Sequence, residues 1–436
     1  MDNRASPRCC RFQRLGPKPK RLNIDKRPCQ RPCLQVRPYP GYGTEDRYLG
    51  RGFLSWFTPT TNVSLVANFN NLNDDRQPGQ NDTWEPEQMP SGRQTYRMVS
   101  LNYHHQQADD SGWFDGHIIY QGTLNDSQTT TDRTNFLPGG KNTYEYGFSR
   151  SKYKNDVNLF TRHSGAHQSE KFYLGYYLDG DYTHRNNDSQ SVSAAFNSEQ
   201  SGISQQTIEN IYNTGTLADN LLNRSITNTS NPHTEGSIDF MPMISWKIPG
   251  SHDVIRAEFT ANYQASKDRL WRDYDINYGN NSASSQRLRQ YFDNTPNHTV
   301  SLNGRVGYNG SFSRFNFGMF YNYKWSDQHS DSYMYELSRL ADMGVYGTLP
   351  EGYGSTLDPN NSYASRTITN EHSLMPSILY IRPDERRKRM LMIDFSPTLS
   401  LHHSHMDYWR NDHLYPVRRT STMACAAISR FSKALS

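Results

Sequence analysis

Residues 315–325 read Phe-Asn-Phe-Gly-Met-Phe-Tyr-Asn-Tyr-Lys-Trp. In an extended chain Phe315, Phe317, Met319, Tyr321, Tyr323 and Trp325 share one face. Asn316, Gly318, Asn322 and Lys324 share the other, with Phe320 the exception. Successive strand side chains point to opposite faces, so this period of two predicts a β-strand that is apolar on one side. Strands of soluble proteins average about 5–6 residues, whereas a tilted membrane-spanning strand needs about 9–11. The quoted run has the longer length.

The same pattern recurs outward from it. Val300, Leu302, Val306 and Tyr308 alternate with Ser301, Asn303, Arg305 and Asn309. Ile255, Ala257, Phe259, Ala261 and Tyr263 oppose Arg256, Glu258, Thr260 and Asn262. Leu391, Ile393, Phe395, Leu399 and Leu401, and Ile238, Phe240, Ile244, Trp246 and Ile248, repeat it. About 14 strands are expected, at 47–57, 62–72, 95–106, 113–125, 143–153, 156–163, 170–185, 189–197, 236–248, 253–266, 298–309, 313–326, 371–382 and 389–403. Connections such as 58–61, 107–112, Lys154-Asn155, 186–188 and 249–252 read as short; 73–94, 126–142, 198–235, 267–297 and 327–370 read as long. Short turns on one rim and long loops on the other are expected of an outer-membrane β-barrel. Tyr103, Tyr120, Trp246, Tyr263 and Trp325 near strand ends suit interfacial girdles. Aromatic packing in a soluble β-sandwich is the competing reading.

Composition agrees with the barrel. The chain is 34% hydrophobic with a mean hydropathy of −0.90, too polar for a large soluble core. Its 29 Tyr, 19 Phe and 7 Trp are unlike a disordered chain, which is poor in aromatics. No run of about 18 apolar residues exists, which excludes a transmembrane helix. The formal charge of +4 is unevenly spread. Residues 1–38 hold eleven Lys/Arg against Asp2 and Asp25, and residues 417–436 hold Arg418, Arg419, Arg430 and Lys433 with no acid, which leaves 39–416 at −9. Cys9, Cys10, Cys29 and Cys33 lie in the first segment, Cys425 in the last, and none between. Three parts are therefore expected: a basic, Cys-containing non-barrel segment 1–38, an outer-membrane β-barrel segment 39–416, and a basic tail 417–436. Both ends are expected to be disordered or out-of-frame translation. The charged start is followed by no apolar stretch of a signal peptide. Adjacent cysteines and a C-x3-C pair do not form the usual zinc knuckle, and a basic nucleic-acid arm is the other reading of the first segment.

The stretch Gly41–Trp84 (GYGTEDRYLGRGFLSWFTPTTNVSLVANFNNLNDDRQPGQNDTW), the phrase NFLPGG at 135–140 and LDPNNSY at 357–363 resemble the barrel part of the Bacteroidetes-type outer-membrane β-barrel family related to TonB-dependent receptors. The resemblance runs from about Gly41 to Tyr415. It implies a signal peptide, an N-terminal β-domain, a plug, a barrel of about 22 strands and a link to the TonB complex through N-terminal parts missing here. Against that pattern this sequence shows no signal peptide, TonB box, plug or terminal aromatic strand. The expected fold is all-β, an antiparallel transmembrane β-barrel segment with long extracellular loops, an open or small closed sheet. Its unpaired edges would lie near 47–57 and 389–403.

Candidate chemistry is sparse. His403, His405 and Asp407 share a strand face beside His402, a set that can bind zinc or iron, or that simply marks a strand leaving the apolar band. Asp74, Asp75, Asn81 and Asp82 offer oxygens for calcium without the EF-hand spacing. The pairs Glu85/Glu87 and Asp109/Asp110 lie in loops with no burial to raise a pKa. No GxSxG, HExxH or Walker-type motif occurs. Arg386-Arg387-Lys388-Arg389 reads as a turn facing head groups or solvent and not as a nucleic-acid patch. Segment 331–343, with Tyr335, Leu337 and Leu340 at helical spacing, predicts a small helix. No catalytic, metal or cofactor residue is assigned, and no enzyme or nucleic-acid partner is expected. Outer-membrane lipid and a small ligand or glycan are the expected partners. Three classes remain: a TonB-dependent uptake barrel, an adhesive or structural barrel, and a soluble secreted carbohydrate-binding β-protein.

Overall fold

A computed structural model describes residues 33–74, 93–211, 215–279, 281–313, 315–384, 389–410 and 413–435. They form one antiparallel sheet in which every strand pairs with its sequence neighbours, β1 through β14 in order. The strands are β1 (Cys33–Tyr42), β2 (Tyr48–Phe57), β3 (Thr61–Asn70), β4 (Arg93–Gln106), β5 (Gly112–Asn135), β6 (Thr143–Gln168) and β7 (Phe172–Phe196). They continue as β8 (Leu221–Lys247), β9 (Val254–Tyr278), β10 (Asn281–Phe312), β11 (Phe315–Glu336), β12 (Tyr363–Asp384), β13 (Arg389–Arg410) and β14 (His413–Leu435). Among the described residues no ladder joins β14 to β1. No described helix is long and apolar enough to cross a membrane.

The number of strands matches the sequence reading, but by a different division. The expected pairs 143–153/156–163 and 170–185/189–197 are each one strand, β6 and β7. The turns expected at Lys154-Asn155 and 186–188 do not exist; Lys154 pairs with Asn186 in the β6–β7 ladder, beside a register shift at Asn155/Val157. Two strands make up the number. The boundary placed after residue 38 falls inside β1, and the tail expected to be disordered at 417–436 forms β14 through Leu435. The edges expected at 47–57 and 389–403 are thereby covered, and β1 and β14 are the edges.

Connections sort by rim. At one rim the breaks between strands are 58–60, 107–111, 169–171, 248–253, 313–314 and 385–388, none longer than six residues. At the other they are 43–47, 71–92, 136–142, 197–220, 279–280, 337–362 and 411–412, and every long one is there. The loops expected at 126–142, 198–235, 267–297 and 327–370 are shorter than the sequence suggested. Much of their length continues β5, β8, β9, β10, β11 and β12 beyond the apolar band; β10 reaches 32 residues.

The strand register separates the two faces. Leu174, Ile244, Ala257, Val306, Tyr321, Leu374 and Leu399 lie in one row from β7 to β13, each opposite the next. On the opposite face one row crosses β2 to β14 as Ser55, Ser64, Asn102, His117, Arg162, Asp179, Asp239, Asn262, Ser301, Ser326, Thr369, Ser404 and Thr420. No member of that row is apolar.

Candidate functional site

The apolar face is a belt beside the short-turn rim. Its exposed side chains run from Phe172 to Tyr182 on β7 and from Ile238 to Trp246 on β8. Those spans match the roughly 9–11 residues of a tilted membrane strand, or about 20–27 Å of height at 35–45° tilt. Aromatic side chains border it on both sides. Trp56, Phe172, Trp246 and Phe315 lie next to the short turns, and Tyr120, Tyr182, Tyr263 and Trp325 lie on the same face at the far margin. Glycine serves this packing at Gly165, where a Cβ would come within 2.7 Å of the Tyr176 ring and 3.1 Å of the Trp113 carbonyl.

The polar face is a network of charge pairs. Arg162 donates to Asp179 at 2.7 Å, lies 5.3 Å from the Phe160 ring and 5.5 Å from that of Tyr177, whose hydroxyl also donates to Asp179. Ser164 donates to Asp115 at 2.8 Å. On the opposite face, beyond the belt, Arg366 grips Asp327 through two nitrogens, 3.0 and 2.6 Å. Such forked pairs hold a planar guanidinium in one orientation. A row of fixed polar groups of both signs suits a hydrated wall.

Beyond the belt, arginines on strands pin the long loops. Arg51 on β2 pairs with Asp74, whose carbonyl accepts from Asn70 at 2.6 Å. Arg224 on β8 bonds Asp275 and the Glu209 carbonyl, each at 3.1 Å. That contact closes loop 197–220 over a cluster of Tyr146, Val192, Phe196, Ile208 and Ile211. Arg289 on β10 bonds Asp273 at 2.6 Å and the carbonyls of Met343 and Gly344 at 3.2 and 2.8 Å. Around it pack Trp271, Tyr291 and Leu337, and Tyr346 donates to the Trp271 carbonyl at 3.3 Å. Burial pushes the Tyr346 hydroxyl above the usual tyrosine range.

The candidate residues fall apart from one another. His403 meets Ser421 at 3.0 Å, and His405 meets Asp407 at 3.3 Å, on the face shared with Leu399 and Leu401. Among the described residues no three His, Cys, Asp or Glu converge as a metal site. Asp74 is taken by Arg51, while Asp75, Asn81, Asp82, Glu85 and Glu87 lie outside the described residues. So do Cys9, Cys10, Cys29 and Arg386–Lys388. Asp109 and Asp110 sit in an exposed turn, where the hydroxyl and amide of Ser111 hold Asp109 below the usual carboxylate range. The helix expected over 331–343 is strand through Glu336, then a single 3-10 turn, Leu337–Arg339. The arginine pins and the Arg162–Asp179 pair were not singled out from the sequence. Arg162 is a charge in the polar phase, whereas Arg224 and Arg289 stand in the belt phase beyond its margin, and in each case the partner depends on register.

No family model matches the chain, and no curated protein matches it. Solved structures with a resemblance include the outer membrane protease OmpT from Escherichia coli, at 12% identity over 73% of this chain and 96% of that one, with a TM-score of 0.20. Another is the FrpB iron transporter from Neisseria meningitidis (F3-3 variant), at 8% identity over 87% of this chain and 75% of that one, with a TM-score of 0.16. At these TM-scores nothing about site or activity carries over from either.

Proposed function

We propose that the chain is the barrel segment of an outer-membrane protein that admits a nutrient or ligand across the outer membrane. One observation carries this reading: a single sheet has an apolar face of membrane-spanning height and an opposite face whose central row is polar from β2 to β14. In a bilayer every backbone N–H and C=O must be paired, which strands achieve only in a closed ring. With an even number of strands, β1 and β14 run antiparallel and can meet in a ladder, or either can pair with further strands. The belt then meets lipid, the polar face lines the lumen, the short turns face the periplasm, and the long loops stand outside. Coupling to a TonB complex is the finer part of the proposal, supported by the sequence resemblance alone. An adhesive or structural barrel is the second reading, favoured by strand extensions far longer than a bilayer requires.

Fractionation tests the membrane part. The chain should pellet with outer membranes, resist carbonate and high salt, need detergent for release, and migrate differently boiled and unboiled. Recovery in the soluble fraction as a folded β-protein would overturn it. Uptake by cells carrying the intact gene, measured with and without an active TonB system, then separates transport from adhesion.

A further inference from the structure

On the polar face Arg162 has a carboxylate partner, Asp179, at 2.7 Å. Arg256 and Arg305 differ. They flank Glu258 on β9 and β10, with Glu258 directly opposite Arg305 in register. Yet among the described residues neither guanidinium makes an ion pair. Arg305 is instead drawn over the Phe320 ring, 4.4 Å from its centre. That ring lies across Gly307, where an added Cβ would collide with it, so the glycine creates the seat that holds Arg305 away from Glu258. A cation over an aromatic face keeps its hydrogen-bond donors free at the edge.

Arg256 and Glu258 wall a groove of about 360 Å³, with Tyr173, Gln168, Met243 and Ser245 on its β6–β8 side. A recess lined by Arg305, Gly307 and Phe320 continues it across β10 and β11. The volume is at the small end of the range of about 300–1,000 Å³ for small-molecule sites. We propose that this groove is a subsite for a small hydroxylated organic anion. The carboxylate or phosphate would accept from Arg256 and Arg305, hydroxyls would donate to Glu258, and the ring face would rest on Tyr173 and Met243. Paired guanidiniums match carboxylate and phosphate geometry, and one carboxylate between them favours a ligand that also donates. The assignment rests on the polar face lining the lumen.

Titration calorimetry of the folded chain in detergent tests it, with D-glucuronate, glucose 6-phosphate, glucose and inorganic phosphate as probes. Expected are binding of one or both sugar anions, weaker binding of inorganic phosphate and none of glucose. The two sugar anions distinguish a carboxylate from a phosphate ligand. The double substitution R256Q/R305Q should weaken sugar-anion binding by about tenfold or more. E258Q should weaken the sugar anions and leave inorganic phosphate unchanged. Should the double variant fail to fold, R305K keeps the charge but removes the fork, and is expected to weaken binding several-fold. Failure of both sugar anions to bind, binding undiminished in the variants, or inorganic phosphate binding as well as the sugar anions would each overturn the subsite. Because the assay needs only folded protein, such a result with membrane fractionation intact removes the subsite and leaves the barrel standing.

Discussion

Arg289 on β10 and Asp273 on β9 face each other in register, and the guanidinium meets the carboxylate at 2.6 Å with side-chain exposures of 6% and 11%. The same guanidinium holds two carbonyls of loop 337–362. One buried pair therefore joins a strand ladder to a long loop. Removing one member of a buried pair leaves a stranded charge at a cost of about 3–5 kcal/mol, whereas replacing both by apolar groups costs far less. R289M should lower unfolding free energy by that order and expose loop 337–362 to protease. R289M/D273L should recover most of the stability but not the loop protection, since the carbonyl contacts are gone. Urea unfolding and limited proteolysis read the two effects separately.

Val306 is 53% exposed in the middle of the apolar row. If that face meets lipid, V306K should cost about 2–4 kcal/mol, while N303K on the polar face should cost little. In a soluble sheet, neither exposed lysine would cost more than about 0.5 kcal/mol. The difference between the two variants, measured by reversible unfolding into vesicles, separates membrane from water on that face.

Asp358 caps the short turn Pro359–Asn361, accepting from the Asn361 amide side chain at 2.8 Å and the Asn360 backbone at 3.0 Å. These bonds, the Asn361 side chain first, hold its carboxyl below the usual range. A depressed native pKa contributes stability above the unfolded value and loses it as pH falls through the native one. The loop should therefore tighten above about pH 4 and loosen below it, and N361A should move the Asp358 titration upward. NMR titration of the Asp358 carboxyl checks both; an unchanged midpoint in N361A would refute the cap.

Pro38 and Pro40 sit two residues apart in β1, whose ladder with β2 runs unbroken from Cys33 to Tyr42. Having no N–H, they fit where the strand's donors point away from its partner, and so they blunt the outer edge. P38T/P40T restores two outward donors. Greater aggregation of the refolded variant, scored by light scattering, is expected; equal scattering would show that this edge is already covered.

Where one face is apolar and the other polar, the strands could be read directly. Phe315–Trp325, Ile255–Tyr263 and Val300–Tyr308 all lie where the alternation placed them. Beyond the belt the apolar/polar alternation lapses, so Ser127–Asn135 and Arg287–Asn294 gave no such signal although they continue β5 and β10. Turn-forming residues misled for a related reason. Asn155 and Arg185 pair at the register shift of β6, and Pro296 lies at that of β10, where an extra residue bends a strand without ending it. The face of each groove residue was legible from parity. That Arg305 would rest on Phe320 and leave Glu258 unbonded was not, because it depends on which residue of β11 lies opposite Gly307.

The unequal rims give insertion a direction. Dragging the tight turns through hydrocarbon means moving few polar groups, whereas the other end carries its arginine pins, its loops and up to sixteen further residues of β8, from Leu221 to Gly236. A chain added to the outside of empty vesicles should therefore enter with its tight turns leading and its loops left outside. Delivery from the periplasm requires the reverse passage, with the bulky end crossing first. The cell would have to supply that passage with a catalyst, and the two routes would leave the same molecule facing opposite ways relative to the side from which it came.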